Sequence, residues 1–213
     1  MNYRELLVES GKKMYSSGLT VGTWGNISAR DPETGLIYLT PSGMAYNTIT
    51  PDDIVVMNSK AELVEGHRTP TVEKLLHIGV YNKRSDVNAV IHTHPIYSQV
   101  FACLNEDIPP VIDESAQILG GTVKCAKYAL PGTADLANEV VKALGDGFAC
   151  LLANHGALCV GDSMDAAFLV CTVLEMTAQI DYMARCIGEP KVISDDKVKA
   201  MRDFLLHVYG QRK

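Results

Sequence analysis

Several features by which function classes declare themselves are missing from this chain. No block of lysines or arginines runs through its 213 residues, and 19 basic against 25 acidic side chains leave a net charge of −6. A nucleic-acid or membrane surface is therefore not marked, and the expected partners are small molecules or further subunits. No C-x-x-C pair occurs; Cys103, Cys125, Cys150, Cys159, Cys171 and Cys186 stand singly, mostly within apolar stretches. That argues against a thiolate zinc site or a disulfide framework, and predicts reduced core cysteines in a cytoplasmic protein. No apolar run approaches the roughly 18 residues of a bilayer span, and Met1 leads at once into a polar amphipathic segment, so neither anchor nor export signal is expected. Internal repeats and low-complexity tracts are absent as well. The length suits one domain, residues 1–213, with an ordinary core.

What the chain does carry is chemical density at one place, Asn88 to Pro95, NAVIHTHP. Val90 and Ile91 read as a short buried strand, and His92 and His94 follow two residues apart, where i and i+2 side chains project to the same side. Such a pair can share a divalent cation, which then needs a third ligand and an open position to do chemistry. The third candidate is His155, in the Asn154-His155-Gly156 turn between two apolar segments. Packed or solvated rings remain the plain alternative.

Around this centre the periodicities alternate between strand and helix. Residues 2–17 form an amphipathic helix with Gly18 placed for a left-handed cap. GLTVGTWGNIS, 18–28, is a glycine loop fit either for a tight turn or for presenting bare N–H groups to an anion. Short strands are expected at 26–30, 36–40, 54–57 and 61–64, with TPSGM, 40–44, a second anion-cradle candidate. A helix from Val72 to about Asn82 puts Glu73 in its first turn and His77 four residues on; His77 fits a supporting or core role better than a ligand's. Helices follow at 95–104, 133–144, 163–187 and 194–208, with Ser163 and Ser194 as N-caps, and strands at 123–126, 148–153 and 157–160. The sum is an α/β protein: a single three-layer α/β/α domain with a mixed, largely antiparallel central sheet. Three neutral imidazoles, a nearby carboxylate and two small-residue loops suit proton abstraction beside a carbonyl, or carbon–carbon cleavage producing the same anion, on a phosphorylated substrate.

GTWGNIS, TPSGM, Glu73 ahead of His77, HTHP at 92–95 and NHG at 154–156 occur in the order and spacing of the class II aldolase/adducin family, which the chain resembles along nearly its whole length, the aldolase branch acting on L-fuculose 1-phosphate above all. The resemblance implies zinc, or manganese or cobalt, on His92, His94 and His155. It implies Glu73 as general acid/base, and a phosphate site of Asn26, Thr40, Ser42, Gly43 and Thr71. Tyr209 would reach the aldehyde end from a neighbouring subunit of a four-fold symmetric homotetramer. The reaction would split a ketose 1-phosphate, L-fuculose 1-phosphate or a related 5-deoxy sugar phosphate, into dihydroxyacetone phosphate and an aldehyde.

Two positions depart from the aldolase pattern. Asp113 stands where a second tyrosine is usual, and Val72 where a hydroxyl residue normally follows Thr71. The related 4-epimerases of L-ribulose 5-phosphate carry aspartate in place of Glu73 and a further aspartate at Gln117, so epimerisation fits less well. Methylthioribulose-1-phosphate dehydratase and the non-enzymatic adducin head share the architecture; the adducin head lacks the histidines retained here.

Overall fold

A computed structural model describes residues 1–211; Arg212 and Lys213, which the sequence places in the C-terminal tail, lie outside the described residues. The elements are α1 Tyr3–Ser16, β1 Asn26–Arg30, β2 Ile37–Leu39, β3 Val55–Met57, β4 Leu63–Glu65, α2 Lys74–Lys83, β5 Ala89–Thr93 and α3 Ile96–Leu104, then β6 Lys124–Ala126, α4 Ala134–Leu144, β7 Ala149–Leu152, β8 Gly156–Gly161, α5 Met164–Ile187 and α6 Asp195–His207. The strands build one mixed sheet in the order β4-β3-β2-β1-β5-β8-β7-β6, antiparallel throughout except for the β6–β7 pair.

Strand alternation explains the layers. In β5, β7 and β8, Ile91, Leu151 and Cys159 join the apolar cluster that holds Leu7 and Met14 of α1, Phe101 of α3 and Phe168 of α5. Their neighbours Val90, Cys150, Leu158 and Val160 join the opposite cluster, with Leu76 and Val80 of α2 and Leu136 and Val140 of α4. The central strands are thus apolar on both faces, as the runs 148–153 and 157–160 predict. Each fully buried aliphatic side chain contributes roughly 1.5–3 kcal/mol. Val90 and Ile91, both without exposed surface, therefore grip β5 from two sides, and the histidines at its end inherit a fixed position.

Local signals set most boundaries. Gly18, at φ +71°, closes α1 with its N–H on Tyr15 and that of Leu19 on Met14, the paired bonds of a Schellman motif. Thr133 and Ser163 cap α4 and α5, accepting from the Leu136 and Ala166 amides. Ser194 heads α6 without capping a backbone amide; its hydroxyl serves the Asp196 carboxylate and holds that group below its usual range. Three expectations need correction. Helix α2 starts at Lys74, so Glu73 is its cap residue and not part of its first turn. Cys103 and Cys186, expected in the core, are exposed, while Cys150, Cys159 and Cys171 are buried. Helix α5 is long and apolar enough to cross a membrane by length and composition, although half of that stretch is buried inside the fold, as in a core helix.

Candidate metal centre and active site

The site assembles where β5 ends. His92 pairs in register with Leu158 of β8 and Asn26 of β1 and is fully buried. Past the strand, the His94 amide bonds to the Leu19 carbonyl at 2.8 Å, so the loop after α1 continues the pairing and holds the second ring in place. His155 comes from the β7–β8 turn, where Asn154 adopts φ +55°, a left-handed conformation that asparagine tolerates. Ring centroids of the three imidazoles lie 4.7, 4.7 and 5.1 Å apart, and one nitrogen from each falls within 4.8 Å of the others. The three rings that the sequence nominates therefore do converge.

Glycine makes that convergence possible. A β-carbon on Gly156 would run into the Thr93 carbonyl and lie 3.3 Å from the His92 ring, and one on Gly25 would sit 2.6 Å from the His92 carbonyl. Both positions need hydrogen in place of a side chain. Gly25 of GTWGN and Gly156 of NHG serve close approach, whereas Gly22, at φ +62° with open space around it, serves the turn.

Burial keeps two of the three rings neutral. Desolvation, then the neighbouring imidazoles, pushes His94 down to about 3, and desolvation followed by His92 takes His155 to about 4. His92 Nδ1 lies 2.9 Å from the Ala157 carbonyl, which only accepts, so this nitrogen carries a proton and Nε2 is the atom turned toward the other site groups. That Nε2 lies 3.0 Å from His94 Nε2 and 3.2 Å from Glu73 Oε2. Acceptors gathered so closely call for a shared cation, and the donor set of three imidazoles fits a divalent metal. Glu73 Oε1 adds to this: it is buried, lacks a hydrogen-bond partner and lies 3.5 Å from His155 Nε2.

Glu73 occupies the cap position of α2 but does not cap the helix with its side chain. Its side chain makes no capping bond, and Oε2 instead accepts from Asn26 Nδ2 at 2.9 Å. Burial works to raise its pKa, but the facing His92, the Asn26 amide and His155 outweigh that and hold it below the usual carboxylate value. His77 fills the supporting role expected of it, fully buried, with Nε2 2.5 Å from Asn26 Oδ1 and Nδ1 2.6 Å from Ser28 Oγ.

An open cleft of about 400 Å³ joins these groups, lined among others by Asn26, Ser42, Gly43, Thr71, Glu73, His94 and His155. Thr40 is set back from its wall: the hydroxyl accepts from the Ile27 amide at 3.2 Å and is almost wholly buried. Among the described residues no lysine or arginine lines the cleft; its anion-seeking groups are hydroxyls, the glycine loops and the N-terminal end of α2. Val72 lines the same wall with an exposed apolar side chain. Tyr209 does not reach the cleft of its own chain; it is 67% exposed beyond α6, its ring 6.2 Å from that of Phe204. Asp113 is exposed as well, just ahead of a π-helical turn at Ser115–Leu119.

Four residues contribute that the sequence reading passed over. Trp24 stacks on His94 with centroids 6.2 Å apart. Gln99 Nε2 donates to the His155 carbonyl at 2.9 Å and lies 3.4 Å from His94 Nδ1. Ser28 and Tyr81 stand behind His77. A signal for the last two exists in retrospect: 73, 77 and 81 share one face of α2, and 26 and 28 share one face of β1.

The chain is similar to known proteins of one family. A model of the class II aldolase and adducin N-terminal domain family matches residues 5–182. The 5-deoxy-D-ribulose 1-phosphate aldolase of Bacillus thuringiensis serovar kurstaki is 42% identical over 98% of this chain and 97% of its own. The L-fuculose phosphate aldolase of Escherichia coli K12 is 31% identical over 97% and 94%. A solved L-fuculose 1-phosphate aldolase superposes with a TM-score of 0.92 at 38% identity, covering 94% of each chain. The chain belongs to the class II aldolase and adducin family.

Proposed function

We propose that this protein is a metal-dependent class II aldolase that splits a ketose 1-phosphate, of the 5-deoxyribulose or L-fuculose type, into dihydroxyacetone phosphate and an aldehyde. The observation that carries the reading is the meeting of three imidazoles and a partly unpaired carboxylate beside one cleft, whose other wall offers the Ser42 hydroxyl, Gly43 and Thr71. His92, His94 and His155 would hold the ion, with zinc favoured by a three-imidazole set and manganese or cobalt as substitutes. When bound, it would supply electrophilic pull on the substrate's carbonyl and hydroxyl oxygens.

The chain's own residues do the rest. Ser42, Gly43, Thr71 and the start of α2 seat the phosphate, with Asn26 at the junction between that seat and Glu73. Thr40 supports from behind through its bond to β1. Glu73 removes a proton from the carbon of dihydroxyacetone phosphate that joins the aldehyde, and returns it in the cleavage direction. Val72, in place of a hydroxyl, leaves the seat one donor short and offers the substrate an apolar contact. Tyr209 acts at the aldehyde end of a neighbouring subunit's cleft, within a four-fold homotetramer in which residues 1–213 work as one domain; sedimentation as a monomer would contradict that assembly.

The test is a panel of ketose 1-phosphates, offered to metal-loaded protein, with released dihydroxyacetone phosphate as the readout. Release from the 5-deoxy sugars, abolished by chelation, is the expected result. Epimerised or dehydrated product in its place would overturn the reading.

A further inference from the structure

Behind the catalytic carboxylate runs a closed chain of buried polar groups. Tyr81 Oη lies 2.8 Å from Ser28 Oγ, and Ser28 Oγ 2.6 Å from His77 Nδ1. His77 Nε2 lies 2.5 Å from Asn26 Oδ1, and Asn26 Nδ2 is 2.9 Å from Glu73 Oε2. All five residues are buried, none more than 6% exposed. We propose that His77 is a positioning residue: with Ser28 and Tyr81 it locks the Asn26 amide, and through it one oxygen of Glu73, leaving the other oxygen free to handle the substrate proton. This rests on the aldolase reading above.

The direction of every bond follows from the chemistry of its partner. A carboxylate only accepts, so the Asn26 amide nitrogen must face Glu73 and its carbonyl oxygen must face His77. A carbonyl only accepts, so His77 Nε2 carries the hydrogen. Desolvation pushes the His77 pKa down to about 3, the ring is neutral, and Nδ1 therefore holds a lone pair. Ser28 must donate to that lone pair, and its oxygen is left to accept from the Tyr81 hydroxyl. Each group has one state, and none is left unpaired.

An amide in the middle passes no proton along, so the chain orients Glu73 and does not drain it. Remove the His77 N–H and the Asn26 amide can rotate by half a turn, presenting its oxygen to the carboxylate. Glu73 then swings away, while the three imidazoles, held by β5, β8 and the Ala157 carbonyl, stay in place. The placement follows from two periodicities meeting: one face of the Glu73–Tyr81 segment against the Asn26–Ser28 side of β1.

The experiment compares His77→Leu with His77→Gln, whose amide offers an N–H near the lost Nε2. Deuterium exchange into dihydroxyacetone phosphate gives kcat and KM, and metal content and circular dichroism are read alongside. For His77→Leu, we expect wild-type metal content and fold, a kcat lower by about tenfold to a hundredfold, and a KM within about threefold, the pattern of a misplaced catalytic group. His77→Gln should recover most of the loss. Exchange at the wild-type rate in His77→Leu, or a glutamine variant no better than leucine, overturns the proposal. Should His77→Leu fail to fold, Ser28→Ala removes the donor to Nδ1 and is expected to lower kcat at constant KM; an unchanged kcat counts against the chain. A readout independent of turnover is the 15N spectrum of His77 in the wild-type protein at neutral pH. The Nε2–H tautomer is expected, and an Nδ1–H or charged ring overturns the proposal. A wild-type protein that exchanges no proton defeats the aldolase reading, and the tautomer still decides the chain's direction.

Discussion

At the scale of single residues, the proposed function divides the site into groups that would hold and one that would react. His155 reaches the centre from a turn and places Nε2 3.5 Å from the unpaired oxygen of Glu73. His155→Ala removes a ligand, and the expected result is loss of bound metal together with nearly all turnover. Glu73→Gln keeps the shape and the bond from Asn26 but cannot take a proton. Metal content should remain at the wild-type level while turnover drops by about 10² to 10⁴, the usual range for general acid/base groups. Elemental analysis beside a rate measurement separates the two, and metal retained at full occupancy in His155→Ala would refute the ligand assignment. The histidines were legible from sequence because i, i+2 spacing on a strand is a local fact. Glu73 was less so: its place at the head of a helix invites a capping role, and only its bond to Asn26, 47 residues away, shows that the side chain turns inward.

At the scale of elements, helix α3 follows soon after the strand that carries His92 and needs an anchor for its free N-terminal amides. Glu175 of α5 provides it, accepting from the Tyr97 and Ser98 amides at 2.7 and 2.8 Å and from the Ser98 hydroxyl at 2.8 Å. Gln99, the next residue along, touches both His94 and the His155 carbonyl, so this cap also steadies the site. Glu175→Gln places an amide donor where amide donors already point. A loss of about 1–3 kcal/mol in unfolding free energy is expected from the unsatisfied groups, measured by urea titration; an unshifted midpoint would show that α3 needs no such anchor. Element types and the order of layers were readable from periodicity. The cap was not, because its acceptor lies 78 residues away along the chain.

At the scale of the whole molecule, burying histidines links stability to pH. Desolvation first, then neighbouring rings, sets His77 and His94 at about 3 and His155 at about 4, against 6.5 for an unburied ring. As pH falls from about 6.5 towards 4, the unfolded chain takes up protons that the metal-free fold refuses, so stability must fall with pH across that window. Glu73, held below its ordinary pKa, acts in the same direction at lower pH. The urea midpoint of metal-free protein should therefore drop between pH 7 and pH 5; a flat profile would mean the rings are not buried neutral.

By itself the sequence determined the layered α/β fold, the helix stops at Gly18 and caps at Ser163, and the three histidines, since each is written in spacing, turn chemistry or hydrophobic period within a few residues. Tertiary structure alone decided that Glu73 faces inward, that Thr40 stands behind the cleft, and that Ser28, His77 and Tyr81 line up behind Asn26. Those arrangements depend on which face of α2 meets which face of β1, and contacts between segments some fifty residues apart leave no periodic trace in either one.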